Sequence, residues 1–482
     1  MKYSLSLCTS FLILFSACSD TKHENLNTTN LDSDLSQLIV DNNLTGDPVN
    51  GRSIPSIESE KSQLGMQLFF SKSLGGDRDA ACVTCHHPML GGGDNLSLPI
   101  GVGAVEVDLL GEGRLHDSGT VNYDDGLAPV PRNAPSTFNM ALWDKVLFWD
   151  GRVETIADGI RTPDSAFGVP DPDAGANLSV AQARFPVTSH EEMRGFVFEV
   201  GNSNADLRTN LGKRLSDDTR SDYIPNTWQA EFEGVYGADS VNMSNIADAI
   251  GEYENSQLFV NTPWKNYIDG NTTALSEEAK RGAKLFYSSY EDGGVSCVSC
   301  HSGDFFTDEK FHVMAVPQVG HGKGDGVTSD DDFGREREDS NRASRYSFRT
   351  PTLLNVEMTG PWGHSGAYVT LEDMVSHMVN VDAAVAGYDV SLLDANVKVV
   401  NTTANTQLAL DQLNANKLIG KSAHENVSLS TSELTDLVSF LKALTDPCLK
   451  SRECVEKWIP DNTLSGPDSL RQNGVDQAGN LL

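Results

Sequence analysis

Two five-residue segments carry the chemistry of this chain: Cys82-Val83-Thr84-Cys85-His86 and Cys297-Val298-Ser299-Cys300-His301. Two thiols two residues apart, followed at once by an imidazole, form the pattern of a c-type haem attachment site. Each thiol adds to one vinyl group of a porphyrin, and the adjacent His then lies under the iron as its proximal ligand. With 8 Cys and 11 His among 482 residues, an accidental match is expected on the order of 0.003 times per chain, so two matches are not coincidence. A zinc knuckle and a thioredoxin-like pair are the weaker readings of the same spacing. The pattern predicts two covalently bound haems and a redox protein.

Haem attachment of this kind, like disulfide formation, belongs outside the cytoplasm. Lys2 precedes an apolar stretch over residues 5–15, too short to span a bilayer, which predicts a signal peptide over residues 1–17. It ends Phe15-Ser16-Ala17-Cys18, a lipobox-like sequence that predicts lipidation of Cys18, with Phe15 where an aliphatic residue is usual. Ser19 then favours the outer membrane, and the expected location is the periplasm. No later segment is apolar enough to span a bilayer, so contact with a membrane is expected only through the lipid anchor. The net charge of -32, from 36 basic and 68 acidic residues, argues against nucleic acid as a partner and leaves a basic partner or plain solubility.

The elements that must position the two motifs repeat. Leu64-Gly65-Met66-Gln67-Leu68-Phe69-Phe70 leads into the first and Arg281-Gly282-Ala283-Lys284-Leu285-Phe286-Tyr287 into the second, each with a Gly one helical turn before an aromatic pair. Helical period is visible over 58–68, 276–286, 245–259 and 430–444, the last opening on a Ser430-x-x-Glu433 capping box. Strand-like alternation is sparse, and the Gly- and Asp-rich stretches 102–130, 161–183 and 320–344 read as loops. The expectation is a mainly α chain of two cytochrome c-like haem domains with long loops and the haems near the domain interface. Residues 18–50 are expected to be a flexible tether, 51–262 and 263–447 the two haem domains, and 448–482 a tail in which Cys448 and Cys454 can pair.

From Leu64 to about Thr445 the chain resembles the bacterial di-haem cytochrome c peroxidases and their MauG-type relatives. Beyond the haem motifs, the resemblance rests on Leu90-Gly91-Gly92-Gly93-Asp94-Asn95, Pro131-Arg132-Asn133-Ala134-Pro135, Phe148-Trp149-Asp150-Gly151-Arg152, Phe348-Arg349-Thr350-Pro351-Thr352-Leu353-Leu354-Asn355, Thr359-Gly360-Pro361-Trp362-Gly363-His364-Ser365-Gly366 and Thr370-Leu371-Glu372-Asp373-Met374. It implies a first haem on His86 that meets peroxide and a second on His301 that relays electrons. Counting from Thr370 in the family pattern puts the sixth ligand of the second iron at Met378, with Met374 one turn earlier and His377 next to it as alternatives. A Tyr at this place in MauG-type members makes Met378 favour the peroxidase branch.

The resemblance further implies that Glu192, following Pro186-Val187 and preceding Met193, is the acid-base group at the first haem, with Glu191 as fallback. Trp149 matches an aromatic residue between the haems, to be weighed against simple packing. A calcium ion is implied at Asn133, Thr359 and Pro361, whose oxygens suit a hard cation. His364 and Arg349 are expected near haem propionates, and Ser365 stands where the family usually has Asp. One departure matters: Val102 follows Ile100-Gly101 where other members have a His that caps the first iron. His116 or Tyr123 could replace it, His87 being too close to the motif; the expectation is an open, high-spin ferric site.

The leading reading is a di-haem peroxidase that reduces hydrogen peroxide to water with electrons from a small cytochrome or cupredoxin. A MauG-like oxidase of a partner protein or organic substrate is the second, and a non-catalytic electron-transfer cytochrome the third. Analogy alone allows a homodimer.

Overall fold

The structure, a computed structural model, describes residues 28–119, 125–461 and 465–482. The predicted signal peptide, Cys18 and Tyr123 lie outside the described residues.

Each haem motif hangs from a pair of crossed helices. Ser59 caps the helix Glu60–Phe69 by accepting from the Ser62 amide, and Ser276 caps Glu277–Tyr287 by accepting from the Ala279 amide. The first helix crosses Met243–Ser256 and the second crosses Thr431–Lys442. The repeated Gly explains both crossings. A Cβ on Gly65 would lie 1.9 Å from the Ala249 carbonyl oxygen, and one on Gly282 would lie 1.9 Å from that of Asp436. Only a residue without a side chain lets the backbones approach this closely. The Ser430–Glu433 capping box forms as the sequence predicts.

Two main cores follow from these crossings. Phe69, Trp228, Phe232, Ile250 and Tyr253 centre the first; Trp264, Phe286, Phe306, Leu437 and Phe440 centre the second. Among the described residues, strand is confined to a three-stranded antiparallel sheet, Val146–Leu147, Val153–Ile156 and Gly159–Arg161, and to the pair Phe311–Val313 with Ser347–Arg349.

The chain ends depart from expectation. The described part of the expected tether, from residue 28, contains the helix Thr28–Asp41, which packs on Glu277–Tyr287. Leu35 is fully buried and Leu44 nearly so in the second core, while Asp32 and Asp34 pair with Lys280 (3.0 Å) and Lys284 (2.6 Å). Polar composition concealed an apolar face at Leu35, Leu38 and Ile39 that a neighbouring helix covers. The C-terminal segment is likewise no separate tail. Leu449, Val455 and Trp458 complete the first core, Cys448 and Cys454 are joined by a disulfide, and Gln472 accepts from the hydroxyl of Thr84, inside the first haem motif, at 2.6 Å.

Buried ion pairs join segments of the first and second haem regions. Arg132 pairs with Asp150 (2.5 Å) and with Asp332 (2.6 Å), and Glu154 is shared by Arg161 (2.8 Å) and Arg335 (2.6 Å). Each carboxylate meets a forked guanidinium, the geometry in which a buried charge is tolerated.

Candidate haem centres and their clefts

His86 follows the one-turn helix Cys82–Cys85, and its Nδ1 lies 3.1 Å from the Gly92 carbonyl oxygen. His301 repeats the arrangement, with Nδ1 3.1 Å from the Phe306 carbonyl. In both, Nδ1 donates to a carbonyl and Nε2 keeps its lone pair for a metal, which fixes the tautomer a haem needs. Burial lowers both imidazoles, His301 to about 4, and raises the thiols of Cys82 and Cys297, the latter to about 12. Neutral, half-buried sulfur and a neutral, oriented imidazole fit a porphyrin at each motif. A cavity of about 870 Å³ runs beside the second, lined largely by apolar groups. The haem supplies one-electron redox chemistry; the chain decides what reaches it.

The first cleft is lined with charge. His86 shares it with Trp149, Arg152, Gln182, Glu192, Glu254 and Lys323. Glu192 stands on the π-helical turn His190–Arg194, and its Oε1 lies 3.9 Å from Arg152 Nη2, an electrostatic neighbour beyond hydrogen-bond length. Glu191 accepts from Ser189 Oγ at 3.2 Å and does not line the cleft. The Ile100-Gly101-Val102 segment backs this turn: a Cβ on Gly101 would lie 2.2 Å from the Glu192 carbonyl oxygen, and Val102 is buried in the first core. His116 sits in a bridge with Ala104 and does not line the cleft. His87 accepts from the Met89 amide and packs edge-on against Phe70. Lys323 reaches in from a loop of the second haem region; burial, then Arg152 and Arg132, lower its ammonium.

The second cleft has one apolar helical wall, although Arg335, Asp339, Arg349 and Lys421 also border it. Leu371, Val375 and Val379 line it together with Met374 and Met378, all on the helix Leu371–Val379. His377, the imidazole alternative, is fully buried, with Nδ1 2.7 Å from the Tyr368 hydroxyl and Nε2 2.7 Å from the Met314 carbonyl. Both ring nitrogens are engaged by the protein, so the two thioethers are the groups this helix offers to the cleft.

Between the clefts lies a shared wall. Asn133, Pro135, Trp143, Trp149 and Arg349 line both. Trp149 donates from Nε1 to the Asn133 carbonyl at 2.9 Å. The Arg349 guanidinium stacks 3.8 Å from the Trp143 ring centroid and 6.0 Å from that of Trp149. Its Nη1 is buried with no hydrogen-bond partner among the described residues, as is Nε2 of His364, so each keeps an unmet donor or acceptor. Burial lowers Arg349 to about 10 and His364 to about 3.

The three calcium candidates all border the second cleft. The Asn133 amide nitrogen donates to the Leu96 carbonyl at 3.0 Å, while its Oδ1 and the carbonyl oxygens of Thr359 and Pro361 accept no hydrogen bond among the described residues. Three hard oxygens without donors are a donor set compatible with calcium.

Sequence reasoning passed over Gln182, Glu254, Lys323 and Trp143. Glu254 had a signal, an acid on the face that carries Ile250 and Tyr253. Lys323 had none, because nothing local ties a glycine-rich loop to a motif more than two hundred residues earlier.

These features define a two-centre c-type haem protein with one charged and one thioether-lined cleft. Residues 59–273 match the family described as di-haem cytochrome c peroxidase. MauG of Methylorubrum extorquens is 27% identical over 323 residues, 66% of this chain and 69% of its own. Cytochrome c551 peroxidase of Nitrosomonas europaea is 24% identical over 320 residues, 66% of this chain and 73% of its own. Among solved structures, the fold matches the diheme peroxidase BthA from Burkholderia thailandensis, with a TM-score of 0.53 and 19% identity over 83% of this chain and 89% of that one. A MauG-like protein associated with microbial copper homeostasis matches with a TM-score of 0.53 and 19% identity over 85% and 97%. Over about two thirds of its length the chain is similar to di-haem cytochrome c peroxidases and MauG proteins. It is a peroxidase-type haem oxidoreductase with two c-type haems as cofactors.

Proposed function

We propose that the protein reduces hydrogen peroxide to water at the first haem and takes electrons from a small redox protein at the second. The groups placed in the two clefts carry this reading: Glu192 stands in the first, which Met140 and Met193 also border, and the helix Leu371–Val379 brings Met374 and Met378 to the second. Glu192 takes a proton from one peroxide oxygen and returns it to the other, so that water rather than hydroxide leaves. Arg152, 3.9 Å away, is the cation beside that carboxylate. Met378 would hold the iron of the second haem and keep peroxide from it. Trp149, on the wall both clefts share, lies on the electron route. Arg349 and His364 hold haem propionates, and calcium bound by Asn133 Oδ1 and the Thr359 and Pro361 carbonyls braces that wall.

The first centre would be open and high-spin as isolated: Val102 offers no ligand and His116 lies off the cleft, while Tyr123, the other candidate, lies outside the described residues. A ferric low-temperature EPR spectrum with low-spin signals alone would overturn that. Steady-state peroxide turnover with a reduced small cytochrome tests the main reading. Rapid turnover supports it; slow turnover with a persistent oxidised state would move the protein to oxidation of a partner protein, the activity class of the MauG branch. Relatives named MauG match as well as those named peroxidase, which keeps that reading second.

We place the protein in the periplasm, anchored through a lipid on Cys18. No helix among the described residues is long and apolar enough to cross a membrane. Loss of fatty-acid labelling in Cys18→Ser checks the anchor.

A further inference from the structure

Among the described residues, four cationic side chains border the first cleft: Arg132, Arg152, Arg349 and Lys323. Three of them have polar partners. Arg132 meets Asp150 and Asp332, and Arg152 lies 3.4 Å from Asp150 and 3.9 Å from Glu192. Arg349 donates from Nε to the Phe148 carbonyl at 3.1 Å and stacks on Trp143. Lys323 is different. Its ammonium forms no hydrogen bond or ion pair among the described residues, and the two carboxylates that act on it from a distance, Asp332 and Asp150, are both held by Arg132.

The backbone that carries Lys323 is fixed to the second haem region. Its amide donates to the Asp331 carbonyl at 2.9 Å, and its carbonyl accepts from Arg337 Nη1 at 3.0 Å. The Asp331 carboxylate accepts from the Tyr346 hydroxyl at 2.6 Å, and that of Asp330 from Asn401 Nδ2 at 2.6 Å. Gly322 makes the turn, at φ +62°, where a Cβ would lie 2.3 Å from the Asp330 carbonyl oxygen. Only the side chain of Lys323 crosses into the first cleft.

A lysine stem is long enough to carry its charge back to water, and Gly324 and residues 326–329 beside it are exposed. Lys323 instead lies half-buried beside two guanidinium groups, which together with burial lower its ammonium. Like charges gathered out of water are costly unless an anion joins them. A porphyrin on His86 brings two, its propionate carboxylates.

We propose that Lys323 forms an ion pair with a propionate of the first haem, so that a loop of the second haem region completes the charge of the first centre. This requires only a haem on the first motif, whatever the oxidant. An unpaired propionate favours ferric iron; an ammonium on it offsets that charge and raises the reduction potential.

The test uses the di-haem protein carrying Lys323→Met, Lys323→Gln and Lys323→Arg, read by redox titration of each haem and by the propionate bending bands in resonance Raman spectra. Without the charge, in Lys323→Met and Lys323→Gln, the first haem should be about tenfold more oxidised at a fixed potential, a midpoint about 59 mV lower. Its propionate band should move in Lys323→Met, the second haem should keep its wild-type midpoint, and Lys323→Arg should stay near wild type on both readouts. A wild-type midpoint and band in Lys323→Met overturn the inference. So does an equal fall at both haems, or a lower midpoint with unmoved propionate bands, which would place the ammonium away from the porphyrin edge. A wild-type midpoint that varies with added acetate, and ceases to in Lys323→Met, would show a free anion there and also overturns it. Should Lys323→Met fail to attach haem, Lys323→Gln against Lys323→Arg, which differ in charge, decides.

Discussion

The two haem regions share their attachment chemistry and one wall, and differ in the helices and loops that complete each cleft. Both present Cys-x-x-Cys-His beside a helix crossing licensed by one Gly, and both orient the His through Nδ1 to a backbone carbonyl. Across from His86 stand Arg152, Glu192, Glu254 and Lys323; across from His301 stand Leu371, Val375, Met374 and Met378. A repeated module therefore supplies the cofactor twice, and segments remote in sequence set its chemistry. Charge and proton donors suit a centre that must cleave an O–O bond, whereas an apolar lining with a thioether suits one that only passes electrons.

That contrast can be broken from either side. The largest expected effect is at Glu192: Glu192→Gln should lower peroxide turnover by about two to four orders of magnitude with both haems still attached, read by steady-state kinetics. Next, replacement of Met378 should erase the difference between the clefts. Met378→Ala should let cyanide bind two centres where the wild type binds one, followed in the Soret band, while Met374→Leu should keep the wild-type count. A reversed result would move the ligand one turn along the helix.

The framework of the first cleft gives the next effect. Burial alone would raise Asp332, but the Arg132 guanidinium brings it down to about 2. A carboxylate depressed in the folded state contributes stability that is present above its ordinary value near 4 and lost as pH falls through about 2. Asp332→Asn leaves Arg132 with one fewer buried partner, so thermal unfolding at pH 7 should show a loss of about 3 kcal/mol. That deficit should shrink as the pH approaches 2. The smallest effect asks whether the two modules are equivalent: Gly65→Ala and Gly282→Ala should each cost about 1–3 kcal/mol through overpacking, with the loss reported by the haem of the affected region.

Much of this was legible because it is local. The haem motifs, the Ser276 and Ser430 caps and the repeated Gly depend on residues within about one helical turn of each other, and the structure forms them where the sequence implies. The helix Thr28–Asp41 was missed because its short apolar face is diluted by Asn, Asp and Thr, and gains its meaning only against Glu277–Tyr287. The C-terminal segment was missed for the same reason: Gln472 lies 388 residues from the Thr84 it holds.

By itself the sequence determined the covalent chemistry: two haems, their proximal imidazoles and the helices that carry them, since thiol spacing and capping act over a few residues. Only the tertiary structure decided which side chains line each cleft. It brought Lys323 to the first cleft, turned Glu254 onto Gln182 and engaged both nitrogens of His377. Electrostatics and burial act through space, and a group's environment is set by whatever the fold brings within a few ångströms of it.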